Sequence, residues 1–257
     1  MKNGLICGCL MALCAASLAQ AEGREPDALR ASTQILVVTT QDWNGVEGTL
    51  QVYERPKARK RWKAVGDPIP VVVGKNGLGW GAGVAADAGL RGAGDPVKKE
   101  GDGKSPAGIL RLSTAFGYAG QEPPGWKIPY LSLTSSVECV DDARSKFYNR
   151  VLDRATVAPD WNSSEQMLRP DGLYRWGAVI DHNTEPVTAG VGSCIFLHIW
   201  LGPGVGTSGC TAMAQEQLEG VLARLDPARN PLLVQLPRSQ YKKLRRHWKL
   251  PALPRQK

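Results

Sequence analysis

The stretch "SCIFLHIWLGPGVGTSGCTAM" at residues 193–213 joins a continuous apolar run to a glycine-rich turn. The apolar run, residues 193–200, is long enough for a buried β-strand and places His198 near the end of that strand. The turn leads to Cys210, twelve residues after the histidine. The segment therefore raises the question of whether His198 and Cys210 belong to one chemical site.

Apolar patterns on both sides of this stretch predict a mainly β (α+β) fold in one domain. Short runs rich in β-branched residues and bounded by turn signals predict strands. They lie at residues 34–40, 49–54, 69–74, 173–180 and 231–236. A helical spacing of apolar residues predicts one short amphipathic helix. Its apolar face consists of Leu218, Val221, Leu222 and Leu225.

Two segments lack a clear periodicity of apolar residues. The glycine-rich residues 74–110 predict an extended surface loop, and residues 135–153 predict a turn followed by a short helix. The whole chain contains 29 Gly and 18 Pro, which favours a strand-rich domain with many turns over a helical bundle.

The first 21 residues have the pattern of a secretory signal peptide. Lys2 precedes a short apolar core, and Ala19-Gln20-Ala21 fits the small-x-small cleavage rule. The apolar core is too short for a comfortable membrane span, so we expect an exported protein of the periplasm or cell envelope without a transmembrane helix in its mature form. A lipoprotein is the alternative, because Ile6-Cys7-Gly8-Cys9 loosely resembles a lipid-attachment site, although few residues precede it.

Positive charge is concentrated at the C-terminal end, residues 237–257, which follow a polar N-terminal lead (22–33) and the predicted domain (34–236). Eight Lys or Arg and no acidic residue lie between positions 238 and 257. Aromatic residues do not alternate with these charges, so no nucleic-acid partner is expected. One helical face carries Tyr241, Leu244 and Trp248. This pattern predicts a surface helix on an anionic envelope surface or, alternatively, a solvated and disordered tail.

Cys210 and His198 are the residue types of a thiol nucleophile and its base. Free cysteine is mostly protonated at neutral pH, so a nucleophilic thiol needs a nearby base and backbone N–H groups that face the developing oxyanion. Gly209 permits a tight turn, and a helix beginning near Ala214 would place its positive dipole end near the sulfur. From the residues alone, the alternative is that His198 packs under the turn and Cys210 is a small buried residue.

Three segments support the catalytic interpretation in combination: "GDGKSPAGIL" (101–110), "SCIFLHIW" (193–200) and "TSGCTAM" (207–213). Together they resemble the catalytic domain of the L,D-transpeptidases (YkuD-type), cysteine enzymes that act on peptidoglycan. The family signature is a His, a spacer and Ser/Thr-x-Gly-Cys, which His198 and Thr207-Ser208-Gly209-Cys210 match in order. The stretches "VGKNGLGW" and "SSEQM" are similar to one branch of the family. The resemblance covers about residues 34–236 and implies a β-sandwich-like domain with a few short helices.

The resemblance also implies a role for each of these residues. His198 would take the proton of Cys210, whose thiolate would attack a carbonyl of a peptidoglycan stem peptide, while backbone amides at Gly209 and Cys210 hold the oxyanion. The backbone carbonyl of Ile199 would orient the imidazole, and no metal or cofactor is required. The thioester would then pass to an amine, which is transpeptidation, or to water, which is carboxypeptidation.

The chain departs from the family pattern near the nucleophile. Ser208 stands where many members have a second His, Ala212 stands where many have Arg or Asn, and the spacer is shorter than usual. These positions bear on how the substrate stem is held and on which acceptor takes the acyl group. A non-catalytic cell-wall-binding module that kept the fold is a further alternative.

Three other residues are candidates for lining a substrate cleft. Trp200 and Tyr174 suit a peptide cleft, although aromatic side chains are more often part of a core. His182 directly follows a predicted strand, where a turn or surface role is more common. Another alternative is a zinc site made of His182, Cys194, His198 and Cys210. The short ligand spacings typical of such sites are missing, so no metal is expected.

Cleavage of the signal peptide leaves three cysteines, Cys139, Cys194 and Cys210. A nucleophilic Cys210 must stay free, and an oxidising compartment favours pairing of the other two. We therefore predict a Cys139–Cys194 disulfide that braces the strand of His198 against residues 135–153. Two separate buried thiols are the alternative.

Overall fold

The computed structural model describes residues 25–84 and 90–254. The predicted signal peptide, residues 1–21, lies outside the described residues, as do residues 22–24 of the N-terminal lead. Within the described ranges, no helix has the length and apolar character needed to cross a membrane. The helices are α1 (Asp27–Ala31), α2 (Gln215–Leu222) and α3 (Arg238–Leu244). The strands are β1 (Gln34–Thr40), β2 (Glu47–Glu54), β3 (Lys63–Val72), β4 (Leu78–Trp80), β5 (Ser105–Gly117), β6 (Tyr130–Ser132), β7 (Val137–Val140), β8 (Val151–Asp153), β9 (Ser164–Gln166), β10 (Trp176–Asp181), β11 (Phe196–Ile199), β12 (Thr211–Met213) and β13 (Leu232–Pro237).

Eight of these strands form a barrel-like sheet. Their order is β10-β11-β12-β3-β2-β1-β13-β5, and β5 pairs with β10 to close the circle. Closure pairs both edges of each strand, which protects the sheet from pairing with other chains. With 34% strand and 12% helix, the protein confirms the predicted mainly β, α+β fold with few short helices.

The centre of the core is β1, whose seven residues "QILVVTT" are all buried. It pairs antiparallel with β2, where Leu36 lies opposite Val52, and parallel with β13, where Leu36 lies opposite Leu233. Continuous apolar runs of this kind are typical of strands covered on both faces. The predicted amphipathic helix is α2, which buries its apolar face in the same core and contacts β10 and β11. It therefore supports the strand that carries His198.

A second sheet has the order β8-β7-β9 and corrects one prediction. The short helix predicted within residues 135–153 is wrong, because this segment forms β7 and β8 with turns between them. The carboxylate of Asp142 accepts hydrogen bonds from the backbone N–H groups of Arg144 and Asn162. These bonds turn the chain after β7, since an Asp that caps nearby N–H groups competes with a helix.

The glycine-rich residues 74–110 are not a surface loop throughout. They contain β4 and the first part of β5, and Leu78 and Trp80 are fully buried. A Cβ atom at Gly74 would lie 2.3 Å from the carbonyl oxygen of Gly103. Glycine here allows two backbone segments to approach closely, and composition alone does not distinguish this role from a loop.

The basic C-terminal segment packs against the barrel. Helix α3 contacts β1 and β13, and Tyr241, Leu244 and Trp248 have exposed fractions of 0%, 1% and 2%. The apolar face predicted from the sequence is thus used inside the fold, and it is not available to a membrane. Among the described residues, packing continues past residue 236, since Tyr241, Leu244 and Trp248 are buried in the core. Most of its basic side chains are exposed, and their binding to an anionic envelope surface stays a prediction.

We expect Trp248→Ala to destabilise the whole domain. The substitution removes a buried aromatic side chain, and such truncations lower the free energy of unfolding by about 3–5 kcal/mol. Equilibrium urea unfolding measures the change. The control is Lys243→Ala, an exposed position of the same segment, where the change should stay within about 0.5 kcal/mol. An unchanged midpoint for Trp248→Ala would show that the segment is not part of the folded unit.

Candidate active site

The parallel pairing of β11 with β12 brings His198 and Cys210 together. In this register His198 pairs with Ala212, and Cys210 directly precedes β12. Neighbouring strands lie about 4.8 Å apart, so twelve residues of separation along the chain become proximity in space. Residues 200–210 make the crossover between the two strands.

Side-chain hydrogen bonds hold the turn before Cys210. Thr207 Oγ1 donates to the carbonyl oxygen of Cys210 at 2.6 Å and accepts from the Gly209 N–H at 3.1 Å. Ser105 Oγ donates to the same carbonyl at 2.8 Å. A Cβ atom at position 209 would lie 3.2 Å from the carbonyl oxygen of Lys104, so glycine suits this close approach. The turn therefore fixes the backbone from which the thiol projects.

A cavity of about 310 Å³ opens beside this turn. Its walls include the predicted residues Tyr174, His198, Trp200, Thr207, Ser208, Gly209 and Cys210. The structure thus brings the predicted nucleophile, base, turn and aromatic cleft residues to one place. His182 is elsewhere: it is buried, its Nδ1 accepts from the Ala82 N–H at 3.1 Å, and its Nε2 lies 3.1 Å from the carbonyl oxygen of Val191. These contacts give His182 a structural role outside the cavity.

One hydrogen bond defines the tautomer of His198. Its Nδ1 lies 2.7 Å from the carbonyl oxygen of Ile199, which is the residue that the resemblance implied. A carbonyl only accepts hydrogen bonds, so Nδ1 carries the proton and Nε2 of the neutral ring is left as the basic nitrogen. Burial lowers the pKa of His198 to about 4, and the ring of Tyr174 packs edge-on against the imidazole at 5.2 Å. The imidazole is therefore a neutral, oriented base at physiological pH.

Cys210 is a buried thiol. Its Sγ accepts a hydrogen bond from the Phe196 N–H at 3.3 Å and lies 3.6 Å from the carbonyl oxygen of Cys194. Burial raises the pKa of Cys210 to about 12, and the charge of Glu165 acts in the same direction. At rest the cavity therefore holds a neutral thiol and a neutral imidazole, and not a thiolate and an imidazolium.

The sequence predicted that the dipole of the following helix would stabilise the Cys210 thiolate, and this prediction is wrong. Helix α2 begins at Gln215, and β12 lies between it and Cys210. Dipole effects are confined to the first turn of a helix, so the sulfur lies beyond their range along the chain.

Five charged residues of the cavity were not assigned a role in the site from the sequence: Lys98, Glu100, Asp141, Glu165 and Arg169. Lys98 is 3% exposed and its Nζ donates to Asp102 Oδ1 at 2.7 Å. Glu165 Oε1 accepts from the hydroxyl of Tyr174 at 2.6 Å and from Arg169 Nη1 at 3.3 Å. Glu165 lies in the "SSEQM" stretch that contributed to the resemblance, so the sequence could have indicated that it belongs to the site. Lys98 lies in the glycine-rich segment, where no pattern distinguishes it from a surface lysine.

The predicted Cys139–Cys194 disulfide is present, with a Cα–Cα distance of 5.9 Å, and among the described cysteines Cys210 is free. Cys139 in β7 pairs with Glu165 in β9, while Cys194 lies just before β11. The bridge therefore ties the small sheet that carries Glu165 to the barrel strand that carries His198. The alternative zinc site is wrong, because the sulfur of Cys194 is consumed in this bond.

Comparisons with protein-family models, with curated proteins and with solved structures find no match.

The neutral resting pair predicts how Cys210 reacts with iodoacetamide. Thiolate increases tenfold per pH unit below the pKa of about 12, so the alkylation rate should rise steadily from about pH 6 to about pH 9 without a plateau. Stopped reactions and mass spectrometry give the rate at each pH, with Cys210→Ala as the unlabelled control. A rate that is already constant over this range would indicate a preformed thiolate–imidazolium pair and contradict the account.

Proposed function

We propose that this protein is an exported cysteine L,D-transpeptidase that acts on peptidoglycan stem peptides through a thioester on Cys210. The observation that carries the proposal is the placement of the free Cys210 and the tautomerically fixed His198 in one cavity of about 310 Å³. The motifs that resemble the L,D-transpeptidases supply the substrate class. The signal-peptide pattern of residues 1–21 supports export.

Acylation begins when Cys210 Sγ attacks the substrate carbonyl and its proton moves to His198 Nε2. Because the resting thiol and imidazole are both neutral, proton transfer accompanies formation of the S–C bond. Collapse of the tetrahedral intermediate breaks the C–N bond, and the leaving D-amino acid takes the proton from His198. The acceptor amine or water then attacks the thioester, gives its proton to His198, and the sulfur regains it.

The turn supplies one evident donor for the oxyanion. In the resting structure the Gly209 N–H is engaged by Thr207 Oγ1 at 3.1 Å. The Cys210 N–H has no such partner among the described residues, so it is the amide that stabilises the oxyanion first, and Gly209 joins it if the Thr207 bond is exchanged. This arrangement favours acyl transfer as the reaction class.

Purified protein incubated with a disaccharide-tetrapeptide tests the proposal by mass spectrometry. Cys210→Ala should abolish the release of the terminal D-amino acid, and His198→Ala should slow it by at least about 100-fold through loss of the base. His247→Ala replaces an exposed histidine and should have wild-type activity. Cross-linked dimers indicate transfer to an amine, and trimmed tripeptide indicates transfer to water. Full activity in Cys210→Ala, or no reaction in the wild type, would contradict the proposal, and the second result would favour a binding module.

A further inference from the structure

A half-buried carboxylate shares the cavity with the candidate nucleophile. Glu165 lies in β9, its side chain is 27% exposed, and it lines the same cavity as His198 and Cys210. Its Oε1 accepts hydrogen bonds from Tyr174 and Arg169, and no residue of the described chain bonds to Oε2. The proposed acylation chemistry does not use this group.

The pairing of Glu165 inside the protein is incomplete. Arg169 directs its Nη2 and Nε to Asp171 and reaches Glu165 only through Nη1 at 3.3 Å. Burial raises the pKa of the Glu165 carboxyl, which indicates that neighbouring groups compensate its charge only in part. Glu100, another carboxylate of the cavity, is by contrast occupied by the hydroxyls of Tyr148 and Ser193. The other oxygen of Glu100 accepts from the Gly101 N–H, so Glu165, unlike Glu100, has an oxygen, Oε2, that is available to a ligand. Asp141, the third carboxylate of the cavity, accepts a hydrogen bond from Ser163.

Glu165 is also coupled to the nucleophile. The hydroxyl of Tyr174 bonds to Glu165, and Tyr174 belongs to the same buried cluster as Cys210. The negative charge of Glu165 raises the pKa of the thiol beyond the effect of burial, and the positive charge of Lys98 acts in the opposite direction. In the free protein, Glu165 thus disfavours the thiolate.

We propose that Glu165 binds a primary ammonium group on the acyl donor and that this contact both selects the substrate and activates Cys210. The inference rests on the proposed function and deepens it. A bound ammonium cancels the charge that faces the thiol. A neutral side chain in the same place would displace water from Oε2 and leave this oxygen without a hydrogen-bond partner, which is unfavourable for a desolvated charge. The Glu165 carboxylate therefore also discriminates against acyl donors that lack the amine.

Two donors and two variants test this inference. The donors are a stem tetrapeptide ending in L-lysyl-D-alanine and the same peptide with the lysine amine acetylated, and release of D-alanine is the readout. Wild type should prefer the free amine in kcat/KM by at least about tenfold, the usual effect of losing a hydrogen bond to a charged group. Glu165→Gln keeps the shape of the side chain and its bond to Tyr174. It should reduce this preference to near one by slowing turnover of the free-amine donor.

The same variant should change thiol reactivity in the opposite direction. Without the negative charge, alkylation of Cys210 by iodoacetamide at fixed pH should be faster by about threefold or more. A merely structural role of Glu165 would not give a faster thiol together with slower turnover. Asp160→Asn is the matched control, since this carboxylate bonds to Ser145 outside the cavity and should alter neither readout.

The outcomes separate this inference from the proposed function. Equal turnover of both donors by wild type, or an unchanged preference and alkylation rate in Glu165→Gln, overturns the role of Glu165 alone. No turnover of either donor by wild type overturns the proposed function and this inference with it.

Discussion

Parallel pairing between β11 and β12 is the constraint on which the site depends. It puts Cys210 at the start of one strand and His198 near the end of its neighbour, and the barrel holds both strands from either side through β10 and β3. The link from β12 to β3 is a single pair, Ala212 with Val72, reinforced by hydrogen bonds between residues 73–75 and Thr207. The turn that supports the link between β12 and β3 is therefore also the turn that presents the candidate nucleophile.

Burial has two consequences for the chemistry of this site. It keeps His198 in its neutral, basic form and keeps Cys210 in its protonated form, so neither residue is charged before substrate arrives. A protonated thiol resists oxidation and unspecific alkylation. The charge of Glu165 raises the pKa of the thiol further, and the charge of Lys98 lowers it.

Local patterns in the sequence predicted six of the eight barrel strands, the helix α2 and the disulfide, whereas β5 and β12 were not predicted. A continuous apolar run such as residues 34–40 predicts a buried strand without knowledge of distant contacts. The disulfide followed from the three cysteines outside the predicted signal peptide once Cys210 was assumed to be free. The small sheet and the packing of α3 could not be predicted, because they depend on contacts between segments distant in the chain. Glu165 lines the same cavity as Cys210 because β9 pairs with β7 and a disulfide ties β7 to the barrel. No local pattern encodes that chain of contacts.

The most direct test of the account is the mass of the protein after incubation with a carbapenem, an acylating agent to which the family resemblance implies sensitivity. The account predicts one adduct per chain, located on Cys210 by peptide mapping, absent from Cys210→Ala and formed much more slowly in His198→Ala. The Cys139–Cys194 bridge should remain intact throughout. An adduct on another residue, equal labelling of His198→Ala, or recovery of Cys210 in a native disulfide would contradict the assignment of Cys210 and His198 as nucleophile and base.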